Sequence, residues 1–260
     1  MRLSSVAIFL LFVTGLATAP LESELREAAL TPEMRRVSLG VGSDARDVIA
    51  FAGIFGSLGA FASDLFWLCT ASAWENEDIH AVEVYIGLAI AADPGSEVYA
   101  RDGARIIAYD IPGWRVREIA GEEGRRPVAA VMAEINREQA ERALQILDRA
   151  AAINPDNARI LVDAAMIHLN RLNDVAGAAR IFRNAAEIDG APHFTARIYG
   201  QLLRRMGRNE EAYRWYRAVY DSLPGEDVEA RKPILSQRIR ELETLLDVTP
   251  GEILPDSSDR

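Results

Sequence analysis

The sequence is poor in the residues that build disulfide and metal-held frameworks. It has one cysteine, Cys69, among 260 residues. No intramolecular disulfide can form, and no cysteine-based zinc site can be assembled. Cys69 lies in the apolar stretch LFWLCTASAW and is expected to be a buried structural thiol. The three histidines, His80, His168 and His193, are far apart and share no ligand spacing, so no metal is expected. One lysine, Lys232, stands among 29 basic residues, and the others are arginine. The net charge of −10 argues against nucleic-acid binding by the chain as a whole. There is no phosphate-binding glycine loop, no GxSxG elbow and no HExxH pair. Asp163 and His168 sit five apart with no nucleophile beside them. No catalytic residue and no cofactor is expected, and the chain reads as a non-enzyme.

What is present is globular in character, with 49% hydrophobic and 26% charged residues. No segment shows a convincing alternating strand pattern, so the fold class is all-α. The N-terminal stretch MRLSSVAIFLLFVTGLATAP carries Arg2 and then no charge up to Pro20. It has the form of an export signal or short signal anchor over 1–20. Ala17-Thr18-Ala19 has the small-x-small form of a cleavage site, but Pro20 would follow the cut, which favours an uncleaved anchor. Arg2 would stay cytoplasmic and the bulk of the chain would be exported, to the periplasm or cell envelope.

Residues 21–46 are polar and read as a stalk. The run 47–74, DVIAFAGIFGSLGAFASDLFWLCTASAW, could be a second membrane span, with Gly53, Gly56 and Gly59 permitting close helix contact. The competing reading is a buried loop and helix, because Asp64 divides the run into pieces shorter than the ~20 residues a span needs. DIHAVEVYIGLAIAADPG reads as an amphipathic helix, and SEVYARDGARIIAYDIPGW as another that stops at Ile-Pro-Gly. RPVAAVMAEINREQAERALQILDRAAAINPDN reads as a short helix and a longer one. Leu235, Ile239, Leu242 and Leu246 lie at helical spacing in a C-terminal capping helix within 225–248. The tail 249–260 has the composition of a disordered segment.

A repeat organises the C-terminal half. Ala212, Tyr216, Val219 and Pro224 recur 34 residues earlier as Ala178, Phe182, Ala185 and Gly190, and 35 residues before that as Ala143, Leu147, Ala150 and Pro155. A fainter copy holds Ala81, Tyr85, Leu88 and Pro94, with the proline one residue late. Each copy has a small residue, a larger apolar one four on, a third three further on, and then a breaker. The first three share one helix face.

This pattern resembles the tetratricopeptide repeat, whose period is 34. The closest stretch is FTARIYGQLLRRMGRNEEAYRWYRAVYDSLPG. There Gly200 takes the small position of the first helix, Gly207 the turn, Ala212 the small position of the second helix, Tyr216 the large one and Pro224 the end. The resemblance covers 128–224 clearly and 64–110 loosely, the latter within a degenerate helical repeat region 47–127, and between them DIPGWRVREIAGEEGRRP breaks the register as an inserted loop or decayed helix. FASDLFWLCTASAWE with AADPGSEVYARDGARIIAYDIPGW is similar to membrane-anchored repeat proteins of bacteria.

The resemblance implies an α-solenoid of helix-turn-helix repeats behind an N-terminal signal anchor, acting as a scaffold that binds another protein. Its first helices usually line a concave groove. That places Arg159, Asp163, Met166 and Asn170 in one repeat, and Arg197, Gln201, Arg204 and Arg205 in the next, against a peptide or helix of an envelope or secretion component. Two alternatives belong to other classes. The aromatic residues Trp67, Trp74, Tyr85, Tyr99, Tyr109 and Trp114 could line a ligand-binding or enzymatic site, or could simply pack helices together. The chain could instead be a mainly structural membrane protein with residues 47–74 inserted.

Overall fold

A computed structural model describes residues 59–124, 127–223 and 231–249, and every regular element among them is helical. The expected anchor (1–20), the stalk (21–46), residues 47–58, Pro224 and the tail beyond Thr249 lie outside the described residues. Contacts divide the chain into two compact units, one ending at Pro155 and the other beginning at Asp156.

The first unit holds α1 (Gly59–Glu75), α2 (Ile79–Ala92), α3 (Glu97–Arg105), a π-helical segment (Ile106–Asp110), α4 (Ile111–Glu123) and α5 (Ala129–Ile153). Helix α1 packs on α2 through a face of small residues, Gly59, Ala62, Ser63, Thr70 and Ala73. Close approach follows, and Ser63 Oγ lies 3.0 Å from the Ala89 carbonyl oxygen. Cys69 falls off that face and is exposed, contrary to the buried thiol expected. A helix that is apolar nearly all round gives no periodic signal of which side is packed. No described helix is long and apolar enough to cross a membrane. Residues 59–74 of the apolar run belong to α1, which packs on α2.

Two helix boundaries differ from the sequence reading. The helix expected to stop at Ile-Pro-Gly continues through Pro112 to Glu123. The π segment explains how. The Ile111 N–H bonds to the Ile106 carbonyl, five residues back. Proline lacks an N–H and its ring crowds the preceding turn, so a widened turn beside it lets the helix run on. The register break in the repeat is therefore helical, not an inserted loop. Downstream, α5 is one helix of 25 residues rather than a short and a long one. Its sequence contains no glycine or proline, and Arg137 pairs with Glu134 and, at 2.7 Å, with Glu141 one turn on.

The fainter repeat copy is also displaced by one residue. Ala81, Tyr85 and Leu88 are half-buried, whereas Val82, Ile86 and Ala89 are buried. The shift restores a twelve-residue step to Pro94 (94 − 82 = 12), equal to that from Ala143 to Pro155. The late proline was the sign of this register. Gly103 of α3 lies directly against Ile86, where an added Cβ would come within 2.6 Å of Ile86 Cγ2.

The second unit holds α6 (Ala158–Asn170), α7 (Val175–Ala186), α8 (Phe194–Arg205), α9 (Asn209–Tyr220) and α10 (Lys232–Leu246). Each packs on the next in chain order. Asp174 starts α7 by accepting the Gly177 N–H at 2.8 Å. That bond, ahead of the nearby His168, holds the Asp174 carboxyl below its usual range. Gly207 turns the chain between α8 and α9 with φ 76°, a left-handed value that suits glycine. Ala178, Phe182, Ala212 and Tyr216 are buried in a common core with Leu235, Ile239 and Leu242 of α10, against which Leu246 packs; Ala185 is also buried.

Candidate protein-binding face

The packing of α8 on α9 fixes which side of α8 remains available. Gly200 faces Tyr216 so closely that an added Cβ would stand 2.1 Å from the ring atom Cε1. Tyr199, Leu202 and Leu203 are buried, and the Tyr199 ring meets Trp215 edge-on at 4.8 Å between centroids. Tyr216 O–H donates to the Arg197 carbonyl at 3.3 Å, and Trp215 Nε1–H to the Ala196 carbonyl at 2.8 Å. Helix α8 is thereby held to α9 at both its core and its backbone.

The four sequence-chosen positions on α8 have different surroundings. Gln201 and Arg205 are exposed, and Arg197 and Arg204 are half-buried. Arg204 donates to Glu241 of α10 at 2.9 Å, and Arg238 donates to the same carboxylate oxygen at 3.0 Å. The Arg204 hydrogen bond is the main cause, with Arg238 adding to it, of a Glu241 carboxyl lying below its usual range. Arg204 therefore fastens the C-terminal helix. Arg197 has a buried Nε with no hydrogen-bond partner. On α6, Arg159 and Asn170 are exposed and Asp163 is half-buried. Met166 packs against the core of this unit. Sequence reasoning missed Arg231, whose charge acts on Arg197. A signal was available, since Arg231 follows Arg197 by one repeat period (231 − 197 = 34).

Other candidate sites are resolved by geometry. His168 Nδ1 lies 3.0 Å from Asp174, so its carboxylate neighbour is this helix cap. No group of three or more His, Cys, Asp or Glu residues that could hold a metal is found among the described residues. The aromatic residues of the first unit pack its helices. Trp67 meets Tyr99 at 5.7 Å and Trp74 meets Trp114 at 6.2 Å between ring centroids. Trp74 Nε1–H donates to Asp110 at 2.9 Å, and Tyr99 O–H donates to Asp64 at 2.6 Å. The Asp64 hydrogen bond, with burial, pushes the Tyr99 phenol up to about 12. A groove of 710 Å³ opens beside Trp114, but Trp67 and Trp74 do not line it. Its Arg115 and Arg117 are already paired, with Glu138 at 2.6 Å and Glu77 at 2.7 Å.

No protein-family model matches the chain, and no curated protein matches it.

Proposed function

We propose that the chain is a tetratricopeptide-like α-solenoid that binds another protein and carries no catalytic activity. Helices α6 and α8 are the first helices of successive repeats and line a concave groove for a peptide or helix. An uncleaved N-terminal anchor tethers the chain to a membrane, with the bulk exported, and the partner is an envelope or secretion component. One observation carries this reading. The 0, +4, +7 positions of the repeat are buried in α5 (Ala143, Leu147, Ala150) and in α7 (Ala178, Phe182, Ala185). The spacing is therefore a packing rule. A helix array assembled on such a rule leaves one face of each first helix free for a partner.

The test is affinity capture with the tagged full-length chain from detergent-solubilised membranes. Reconstitution of the captured complex from purified components follows. A stoichiometric complex is expected, together with protection of the N-terminus and protease accessibility of the bulk from the exported side. Failure to reconstitute any complex, or accessibility from the cytoplasmic side, would refute the reading.

A further inference from the structure

Helix α1 uses only part of its surface within the first unit. Its small residues Gly59, Ala62, Ser63, Thr70 and Ala73 form the face packed on α2. Trp67 and Trp74 turn toward Tyr99 and Trp114. Phe61, Leu65 and Leu68 remain 61, 46 and 66% exposed. At 3.6 residues per turn these three fall within an arc of about 60°, on the side away from α2. The stripe is free of charge. The charged residues of α1 are Asp64 and Glu75, and Asp64 accepts the Tyr99 O–H at 2.6 Å. An exposed leucine standing alone is ordinary, but large apolar side chains in line on one helix mark a contact surface.

We propose that this stripe is the seam along which α1 pairs with α1 of a second copy of the chain. Its spacing selects a helix as the partner. Phe61, Leu65 and Leu68 follow steps of four and three residues, the 3.5-residue average at which one helix packs along another. The chain outside the described residues ends at Leu58, where this seam begins, and its sequence carries the same alternation in Phe51, Ile54 and Leu58. Charge favours self-pairing at this place. The chain carries −10, so two copies repel over most of their surface and approach best where charge is absent. From Val48 to Ser63 the sequence has no charged residue. A two-fold pair presents one stripe from both sides, so a single apolar seam serves both copies. A bilayer surface suits the stripe less well. Helices that lie on membranes carry Lys or Arg on their polar face, and α1 has neither. Helices α6 and α8 take no part in the seam, so it stands apart from the peptide-binding reading.

The experiment uses the full-length chain with Cys69→Ser and Glu75→Cys, labelled in separate pools with a donor or an acceptor dye. Glu75 is the last residue of α1 and is exposed. Energy transfer between the pools is followed against chain concentration in phosphatidylcholine vesicles. Transfer that rises with concentration and is competed away by unlabelled chain is expected. Leu65→Asp and Leu68→Asp should each weaken pairing at least about tenfold, because each removes an apolar side chain from both copies and sets two like charges together. Leu245→Asp, at an exposed leucine of α10, should leave pairing unchanged. Melting curves separate lost pairing from lost folding, and the two aspartate variants sit at exposed side chains, so one folded variant suffices.

No transfer, or transfer unchanged in the folded aspartate variants, would overturn the seam. Cys69 gives a second readout, since it is exposed and borders Leu68. In the unlabelled parent it should react with a water-soluble maleimide more slowly as concentration rises, and Leu65→Asp should remove that dependence. Protection of Cys69 that ignores concentration, without transfer, would overturn the second copy. If Phe51→Asp and Ile54→Asp release such protection, the chain's own residues 48–58 cover the stripe. If brominated phosphatidylcholine quenches a probe on Cys69, the bilayer covers it.

Discussion

At Gly200 a single missing methyl group decides how close two helices come. The Tyr216 ring occupies the space that a Cβ would need, and the α8 backbone one turn before Gly200 is pinned by hydrogen bonds from the Trp215 and Tyr216 side chains. Gly200→Ala is therefore expected to cost about 1–3 kcal/mol through overpacking, even though alanine favours helices. Urea denaturation of the two proteins measures it; a variant as stable as the parent would show that α8 and α9 do not depend on this contact. The need for a small residue at 200 was legible only through the resemblance to the tetratricopeptide repeat, since position 200 is not one of the offsets that recur in the sequence. The buried, unpartnered Nε of Arg197 was not legible. It depends on which arginines find acids across helices, and Arg204, seven residues on along the same helix, finds Glu241. Cys69 was misread for a related reason, since an apolar helix does not declare its packed side.

Helix ends and continuity show the same division between local and tertiary signals. The capping helix was legible from Leu235, Ile239, Leu242 and Leu246, which form an unambiguous stripe. The run-through at Pro112 was not, because proline normally reads as a stop and the compensating π segment has no sequence signature of its own. Helix α10 is fastened by Arg204 on Glu241 at 2.9 Å and by Tyr213 O–H on Glu243 at 3.4 Å, while Arg238, within α10 itself, shares the Glu241 carboxylate. A carboxyl lowered in the folded state stabilises that state above its ordinary range and loses the contribution as pH falls through the folded value. Amide exchange over 232–246, corrected for intrinsic rates, should lose protection on acidification. Glu241→Gln should show reduced protection already at neutral pH and a smaller acid response, by about 1 kcal/mol or less for so accessible a pair. Identical exchange in variant and parent would detach Glu241 from the anchoring of α10.

For the whole molecule, the proposed reading rests on packing. The buried periodic positions belong to helix packing. The central claim is that the free side of α8 receives a partner. Site-specific photo-crosslinking tests it most directly, with the reactive side chain placed at Gln201 of the full-length chain in its native membranes and at Arg180 on α7 as the comparison. The account predicts a discrete protein adduct from position 201 and none from 180. An adduct from 180 with none from 201 would contradict it.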